Sequence, residues 1–419
     1  MMEWTHLDEN IWHPFTQHAL EKNRIAISHG KDTILYDVNG KAYIDAVSSW
    51  WVNIYGHANP TISNAIKLQV DKLEQVIFAG FTHEPACLLS DNLLKILPPN
   101  FSKVFFSDNG STSVEVALKM AIQFWHNQGY EKSKIIAFKN AYHGDTFGAM
   151  AVGKSDFFSA FDDLLFDVIQ IDIPLSNNFE SLKNEFQSLV ETQDVACFIF
   201  EPLVQGSGGM QMYDAIFLDE LIKIARTNDV ICIADEVMTG FGRTGERFAI
   251  DYLENKPNII CLSKGITGGF MPLSVTVCEK EIYDAFYSSD KLKTLFHGHS
   301  YTANLLGCAA ANASVKLLEE YYPKIKQLSV WQKEKVQELV VLPNVKNTRT
   351  LGTIAAFEIE STSTSYFSNV KDVVYQRFLD NGILLRPLGN TIYIMPPYCI
   401  TINELNEIYK VILDVVTSL

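Results

Sequence analysis

Val230-Ile-Cys-Ile-Ala-Asp-Glu236 and Asn258-Ile-Ile-Cys-Leu-Ser-Lys-Gly265 are the two lines of this sequence that decide its fold. Each is a short, unbroken apolar run with a chemically active residue at its carboxyl end, Asp235 in the first and Lys264 in the second. Continuous apolar runs bounded by turn signals read as strands covered on both faces. Gly240 after the first run, and Gly265, Gly268 and Gly269 after the second, read as the loops that end them. An acid and a lysine are thereby placed at the lips of two successive strands.

The same pattern extends outward. Val104-Phe-Phe106, Lys134–Phe138, Val168–Asp172, Val195–Phe200 and Leu273–Cys278 are further apolar runs, separated by helical patterns. Together the runs predict an α/β domain with a mainly parallel seven-stranded sheet and helices on both faces. Such sheets bind ligands at the carboxyl ends of their strands. The ends of the chain differ from its middle. Residues 34–45 alternate around Asn39-Gly40, a hairpin signal. Ile383–Met395 reads as a second hairpin turning at Gly389-Asn390, preceded by a helical stretch from about Ala303 to Glu320. Both termini are expected to build one small α+β domain: residues 1–55 and 306–419 against a large domain of residues 56–305. The cleft between the two is the expected site.

Composition excludes several classes. The chain has 419 residues, 47% hydrophobic and 20% charged, ample for a large core. Its net charge of −15 argues against a nucleic-acid footprint and against an anionic membrane surface. The seven cysteines are scattered, form no CxxC and lie mostly in apolar runs, as expected of reduced, buried thiols. The polar, acidic start lacks a signal-peptide pattern, and no run of apolar residues is long enough to span a bilayer. A cytoplasmic location is the expectation.

Chemistry narrows the reading. Desolvation at a sheet edge disfavours an ammonium and frees the amine of Lys264 as a nucleophile. An acid on the neighbouring strand suits a protonated pyridine nitrogen, and the pair suggests a pyridoxal phosphate site. Taken singly, Lys264 is an ordinary loop lysine and Asp235 an ordinary cap; the context gives the pair its weight. Ser107-Asp-Asn-Gly-Ser-Thr112 leads from a strand into a helix, so Gly110 and Ser111 fit a phosphate cradle, though not a GxxxxGK[ST] loop. Alone it would be a plain strand-to-helix turn. In Ala141-Tyr-His-Gly-Asp-Thr-Phe-Gly148, Tyr142 could stack on a flat ring and His143 could meet its edge, or the aromatic could simply pack. Ser48-Ser-Trp-Trp51 reads as a strand end, where alternation would turn only one tryptophan toward a pocket. Arg386, read as standing on a rigid strand, suits bidentate binding of a carboxylate. Arg243 reads as structural. His297 and His299 lack a nearby third ligand, so Phe296-His-Gly-His-Ser300 reads as a second phosphate contact rather than a metal site. Asp235 and Glu236 are strand neighbours facing opposite sides and cannot act as a glycosidase pair.

Asp235-Glu-Val237, Gly240-Phe-Gly-Arg-Thr-Gly245 and Leu262-Ser-Lys-Gly265 together resemble the class III aminotransferases that use pyridoxal 5'-phosphate, over nearly the whole chain. Trp12-His-Pro-Phe-Thr-Gln17, Ser48-Ser-Trp-Trp51, Asn140–Thr146 and Met395-Pro-Pro-Tyr398 resemble the branch that aminates 8-amino-7-oxononanoate to 7,8-diaminononanoate in biotin synthesis. The resemblance implies a fold type I homodimer with shared active sites, ping-pong kinetics and small-molecule substrates. It implies Lys264 as the Schiff-base lysine, Asp235 as the pyridinium partner, and Gly110 and Ser111 on the phosphate, with Ser300 reaching it from the other subunit. Tyr142 would stack on the ring. Trp50 and Gly298 would line the substrate site, and Arg386 would bind the substrate carboxylate. Phe15 stands where many relatives have tyrosine, and His299-Ser300 where many have Pro-Thr. The amino donor would be S-adenosylmethionine or, as in some relatives, lysine. Another ω-aminotransferase, an aminomutase or decarboxylase on the same scaffold, and a non-catalytic binding protein stay open.

Overall fold

The computed structural model describes residues 4–21, 24–153, 156–192, 194–360 and 369–419. Its strands, in chain order, are β1 (Ile27–Lys31), β2 (Ile34–Asp37), β3 (Ala42–Asp45), β4 (Phe101–Ser107), β5 (Lys134–Phe138), β6 (Ile169–Ile171), β7 (Val195–Phe200), β8 (Val204–Gln205), β9 (Gln211–Met212), β10 (Ile231–Asp235), β11 (Ile259–Leu262), β12 (Ser274–Glu279), β13 (Val345–Leu351), β14 (Ile354–Ile359), β15 (Ile383–Leu384) and β16 (Thr391–Ile394). All seven runs singled out in the sequence join one sheet, in the order β4-β12-β11-β10-β7-β5-β6. Only β12 runs against its neighbours.

Period-two geometry explains why these runs are apolar throughout. Ile231 and Ile233 of β10, with Ile259 and Cys261 of β11, face the helix Gly110–Gln128. Their neighbours Cys232, Ala234, Ile260 and Leu262 face the second and larger core. The helix follows β4 at one edge, while the next strand, β5, lies near the other edge. The chain therefore crosses the sheet at this point and leaves a crevice at the strands' carboxyl ends.

The hairpin expected around Asn39-Gly40 is present as β2 paired with β3. The second hairpin is not. Gly389-Asn390 does turn the chain, with an isolated bridge between Leu388 and Thr391. However, β15 joins β3 in parallel and β16 pairs with β14, so the two arms enter different sheets. The proline-containing stretch between them, Leu385–Pro387, belongs to neither sheet, so Arg386 stands on a linker rather than a strand. The parallel pair β3–β15 ties the amino-terminal sheet to the carboxyl-terminal part of the chain. The helix expected to end near Glu320 continues through Pro323 to Gln337. Proline costs a helix roughly 3 kcal/mol. Here Leu317 and Leu318 before it, and Ile325 and Leu328 after it, keep one buried face and hold the helix together.

Candidate active site

Asp235 is the last residue of β10 and is buried. Its Oδ1 accepts from the Val237 N–H at 3.0 Å and its Oδ2 from His143 Nδ1 at 2.7 Å. His143 therefore buttresses the Asp235 carboxylate. Glu236 points the other way, as alternation requires. It accepts from the N–H groups of Ala249 and Ile250 at 2.9 and 2.8 Å and from Thr239 Oγ1 at 2.9 Å. Burial outweighs these bonds and pushes its carboxyl up to about 7.

Lys264 opens a short 3-10 turn just beyond β11 and takes a left-handed φ of 45°. A left-handed non-glycine residue costs energy and is held only by its surroundings. Burial lowers the pKa of its ammonium, while Asp235 and Glu201 pull in the opposite direction. Its Nζ lies 4.9 Å from the centre of the Trp51 ring.

Ser107, Asp108 and Asn109 deliver the chain from β4 into the helix Gly110–Gln128, capped by Asn109. The Gly110 and Ser111 N–H groups are among the helix donors that have no intrahelical acceptor. A Cβ on Gly110 would lie 2.7 Å from Val237 Cγ1, so glycine lets the helix end seat against the strand edge. Ser111 Oγ meets Thr146 Oγ1 at 2.8 Å and accepts from the Thr146 N–H at 2.9 Å. Tyr142, beside them, hydrogen-bonds Asp145, and burial raises its phenol well above the usual range.

These groups share one cavity of about 700 Å³, lined among others by Gly110, Ser111, Tyr142, Asp235 and Lys264. A second chamber of about 450 Å³ adjoins it and shares Trp51, Tyr142 and Lys264 with it. Phe15, Trp50, Arg386 and Tyr393 complete that chamber. The Arg386 guanidinium lies 4.9 Å from the Trp50 ring centre, and Phe15 meets Trp50 edge-on at 5.5 Å. Ser300 and Gly298 do not line either cavity of the same chain.

The tryptophan segment departs from its sequence reading. Ser48, Ser49, Trp50 and Trp51 have φ values of 50°, 45°, 68° and 75°, a left-handed turn rather than a strand end. Left-handed helical backbone costs roughly 1–2 kcal/mol per residue. Strand alternation therefore does not apply, and both indoles reach the chamber, Trp51 buried and Trp50 at 41% exposure. Arg243 is structural, as its glycine-rich context suggests. Buried over the Tyr398 ring, it donates to the carbonyls of Pro396 at 3.1 Å and Trp51 at 3.3 Å.

Glu201 went unread in the sequence. It follows β7 immediately and accepts from the N–H groups of Tyr142 at 2.9 Å and Gly206 at 2.7 Å. Burial pushes its carboxyl up to about 7. The strand-end rule that found Asp235 and Lys264 would have found it too. His297 turns its Nδ1 toward Lys119 Nζ at 3.0 Å.

A buried acid and a desolvated amine at adjacent strand ends, with a helix amino end beside them, suit an anionic ring bearing an electrophilic carbon. The family described as aminotransferase class-III matches residues 16–416. This chain belongs to the class III aminotransferases. Among its relatives, the adenosylmethionine-8-amino-7-oxononanoate aminotransferase of Synechococcus elongatus is 46% identical over 98% of this chain and 99% of its own length. That of Geobacter sulfurreducens is 42% identical over 95% of this chain and 93% of its own. The crystal structure of the Methanocaldococcus jannaschii adenosylmethionine-8-amino-7-oxononanoate aminotransferase superposes with a TM-score of 0.92 at 37% identity, covering 98% of both chains. A PLP-bound amine transaminase from an uncultivated Pseudomonas species reaches the same TM-score at 26% identity, covering 97% of this chain and 98% of its own. No helix among the described residues is long and apolar enough to cross a membrane.

Proposed function

We propose that this chain transfers an amino group to 8-amino-7-oxononanoate, giving 7,8-diaminononanoate for biotin synthesis, with S-adenosylmethionine as amino donor and pyridoxal 5'-phosphate as cofactor. The observation that carries the reading is the convergence of Lys264, Asp235, Gly110, Ser111 and Tyr142 on one cavity whose neighbour ends at Arg386. The relatives that match nearly end to end carry this activity in their names.

The residues fit the cofactor. Gly110 leaves the helix end open, where a Cβ would strike Val237, and the unpaired N–H groups there suit a phosphate. Lys264 Nζ would take the aldehyde carbon, Asp235 the pyridine nitrogen, and Tyr142 one face of the ring. Bound pyridoxal phosphate supplies an electron-withdrawing ring that accepts the electron pair released when a carbon bearing nitrogen loses its proton. Lys264 is the group that removes and returns that proton, because burial keeps its amine below the usual lysine pKa. Asp235 remains an acceptor fixed by His143, which makes it a stable counter-charge for a protonated ring nitrogen. Arg386 takes the carboxylate of the oxononanoate; no carboxylate among the described residues forms an ion pair with it. Trp50 and Trp51 give the aliphatic chain of that substrate an apolar wall and exclude water.

The same reading makes the enzyme a homodimer in which Ser300 of the partner subunit completes the phosphate site, with Gly298 beside it. The segment bearing them exposes Phe296 at 73% and Tyr301 at 65% in the single chain, an apolar surface suited to burial against a second copy. It also takes residues 1–55 and 306–419 as one small domain beside residues 56–305.

The test is a half-reaction. S-adenosylmethionine is added to cofactor-loaded protein without keto acid, and the cofactor's visible absorbance is followed. Bleaching by S-adenosylmethionine alone, restored by 8-amino-7-oxononanoate, is expected. Bleaching by lysine alone would move the donor role to lysine. A protein that takes up no visible band from pyridoxal phosphate would reject the cofactor and the function with it.

A further inference from the structure

The left-handed turn Ser48–Trp51 joins the two chambers, since Trp51 lies against Lys264 and Trp50 against Arg386. Four consecutive non-glycine residues at positive φ do not hold this shape unaided. The restraint comes from Asp45, the last residue of β3, which is fully buried and outside both cavity walls. Its Oδ1 accepts from the N–H groups of Val47 at 3.3 Å and Ser49 at 2.9 Å. Its Oδ2 accepts from Ser49 Oγ at 2.8 Å and from His57 Nε2 at 2.9 Å. Asn53 Nδ2 donates to His57 Nδ1 at 2.7 Å, which leaves the ring proton on Nε2, facing Asp45. On the far side, Ser48 Oγ donates to the Met395 carbonyl at 2.8 Å, and Arg243 holds the Trp51 carbonyl.

We propose that Asp45 is a positioning residue for the reaction: with His57 it locks the left-handed turn, and one backbone element thereby sets both the indole beside Lys264 and the indole beside Arg386. The carboxylate is suited to this because it is acceptor-only and faces four donors converging from the turn and from His57. An ionised acceptor also strengthens each of those bonds. The proposal rests on the aminotransferase reading for its kinetic consequences but not for its structural ones.

The experiment compares wild type, Asp45→Ala, Asp45→Asn and the double variant Asp45→Ala/Ser49→Gly. Each is loaded with pyridoxal phosphate, and kcat and KM are measured with the oxononanoate as the varied substrate. In parallel, acrylamide quenching of tryptophan emission is measured on the cofactor-free proteins. Asp45→Ala is expected to lower kcat/KM by roughly tenfold to a hundredfold, the effect of a misplacement near 1 Å, and to raise quenching. Asp45→Asn turns an amide N–H toward the His57 Nε2–H and is expected to fall between. Glycine adopts the φ of Ser49 without a Cβ penalty, so Ser49→Gly is expected to restore part of the Asp45→Ala loss in both readouts. A residue that merely stabilised the fold would show a lowered melting temperature without that rescue. Wild-type KM and quenching in Asp45→Ala or Asp45→Asn, or a double variant no better than Asp45→Ala, would overturn the proposal. Failure of wild type to aminate the oxononanoate would instead strike the functional reading, and quenching would still decide the role of Asp45.

Discussion

The two walls of the active cavity are built by different means. One wall is the sheet edge: Asp235 at the end of β10, Lys264 just beyond β11, and Gly110 and Ser111 just beyond β4. Each of these residues sits where its own strand stops, so local sequence places it. The other wall is assembled from Phe15, the turn Ser48–Trp51, Arg386 and Tyr393, segments far apart in the chain. It holds its shape through Asp45, Arg243 and the Met395 carbonyl, none of which lines the chamber. The difference assigns different tasks. On the proposed function, the sheet wall carries the groups that would hold charge or move a proton. The turn wall carries aromatic rings and one guanidinium, suited to choosing what enters.

The division is open to direct attack, beginning with the largest expected effect. Lys264→Ala removes the one lysine amine that lines this cavity among the described residues and should cut kcat by roughly 10²- to 10⁴-fold. Turnover within a hundredfold of wild type would mean that proton transfer does not belong to that wall. Arg386→Ala should act on the other parameter. Loss of a charge-assisted carboxylate contact worth about 2 kcal/mol would raise the KM for the oxononanoate by roughly 30-fold and leave kcat nearly intact. A fall in kcat at saturating substrate, with KM unchanged, would erase the distinction between the walls.

A smaller effect sharpens the role of the helix end. Gly110→Ala places a Cβ against Val237 and should weaken pyridoxal phosphate binding by roughly tenfold, read by titrating the cofactor-free protein. Equal affinity would remove the helix end from the phosphate site. A different kind of effect concerns pH. Burial raises the Glu236 carboxyl from its ordinary 4.5 to about 7 in the folded chain. The folded state therefore holds that proton more tightly than the unfolded state, and stability falls as pH rises through this window. The slope is roughly 1.4 kcal/mol per pH unit for the one group. Glu236→Gln should flatten the decline in melting temperature between pH 5 and pH 7 whatever it does to absolute stability. An unchanged slope would mean that Glu236 is ionised throughout.

Legibility in the sequence follows the same divide. The apolar runs gave all seven strands of the large sheet, because a strand buried on both faces leaves a continuous signal. The strand-end rule then reached Asp235 and Lys264, and would have reached Glu201 had it been applied to β7. It failed wherever a residue's place depends on distant chain. Ile383–Met395 has the alternation and the Gly-Asn turn of a hairpin, yet its arms find better partners in β3 and β14. Ser48-Ser-Trp-Trp51 carries no glycine to announce positive φ, and the bonds that hold it there come from Asp45, Arg243 and Met395. Asp45 drew no reading from the sequence, because its four donors come together only in three dimensions.

The sequence by itself determined the class of the protein: the parallel sheet, the lysine and acid at its edge, and the helix end beside them. These follow from period-two burial and from where each strand stops, both local properties. Tertiary structure alone decided how the second chamber closes. A left-handed turn of serines and tryptophans lies uphill for an isolated chain and becomes the favoured shape only once a buried carboxylate, a buried arginine and the carboxyl-terminal sheet have converged around it.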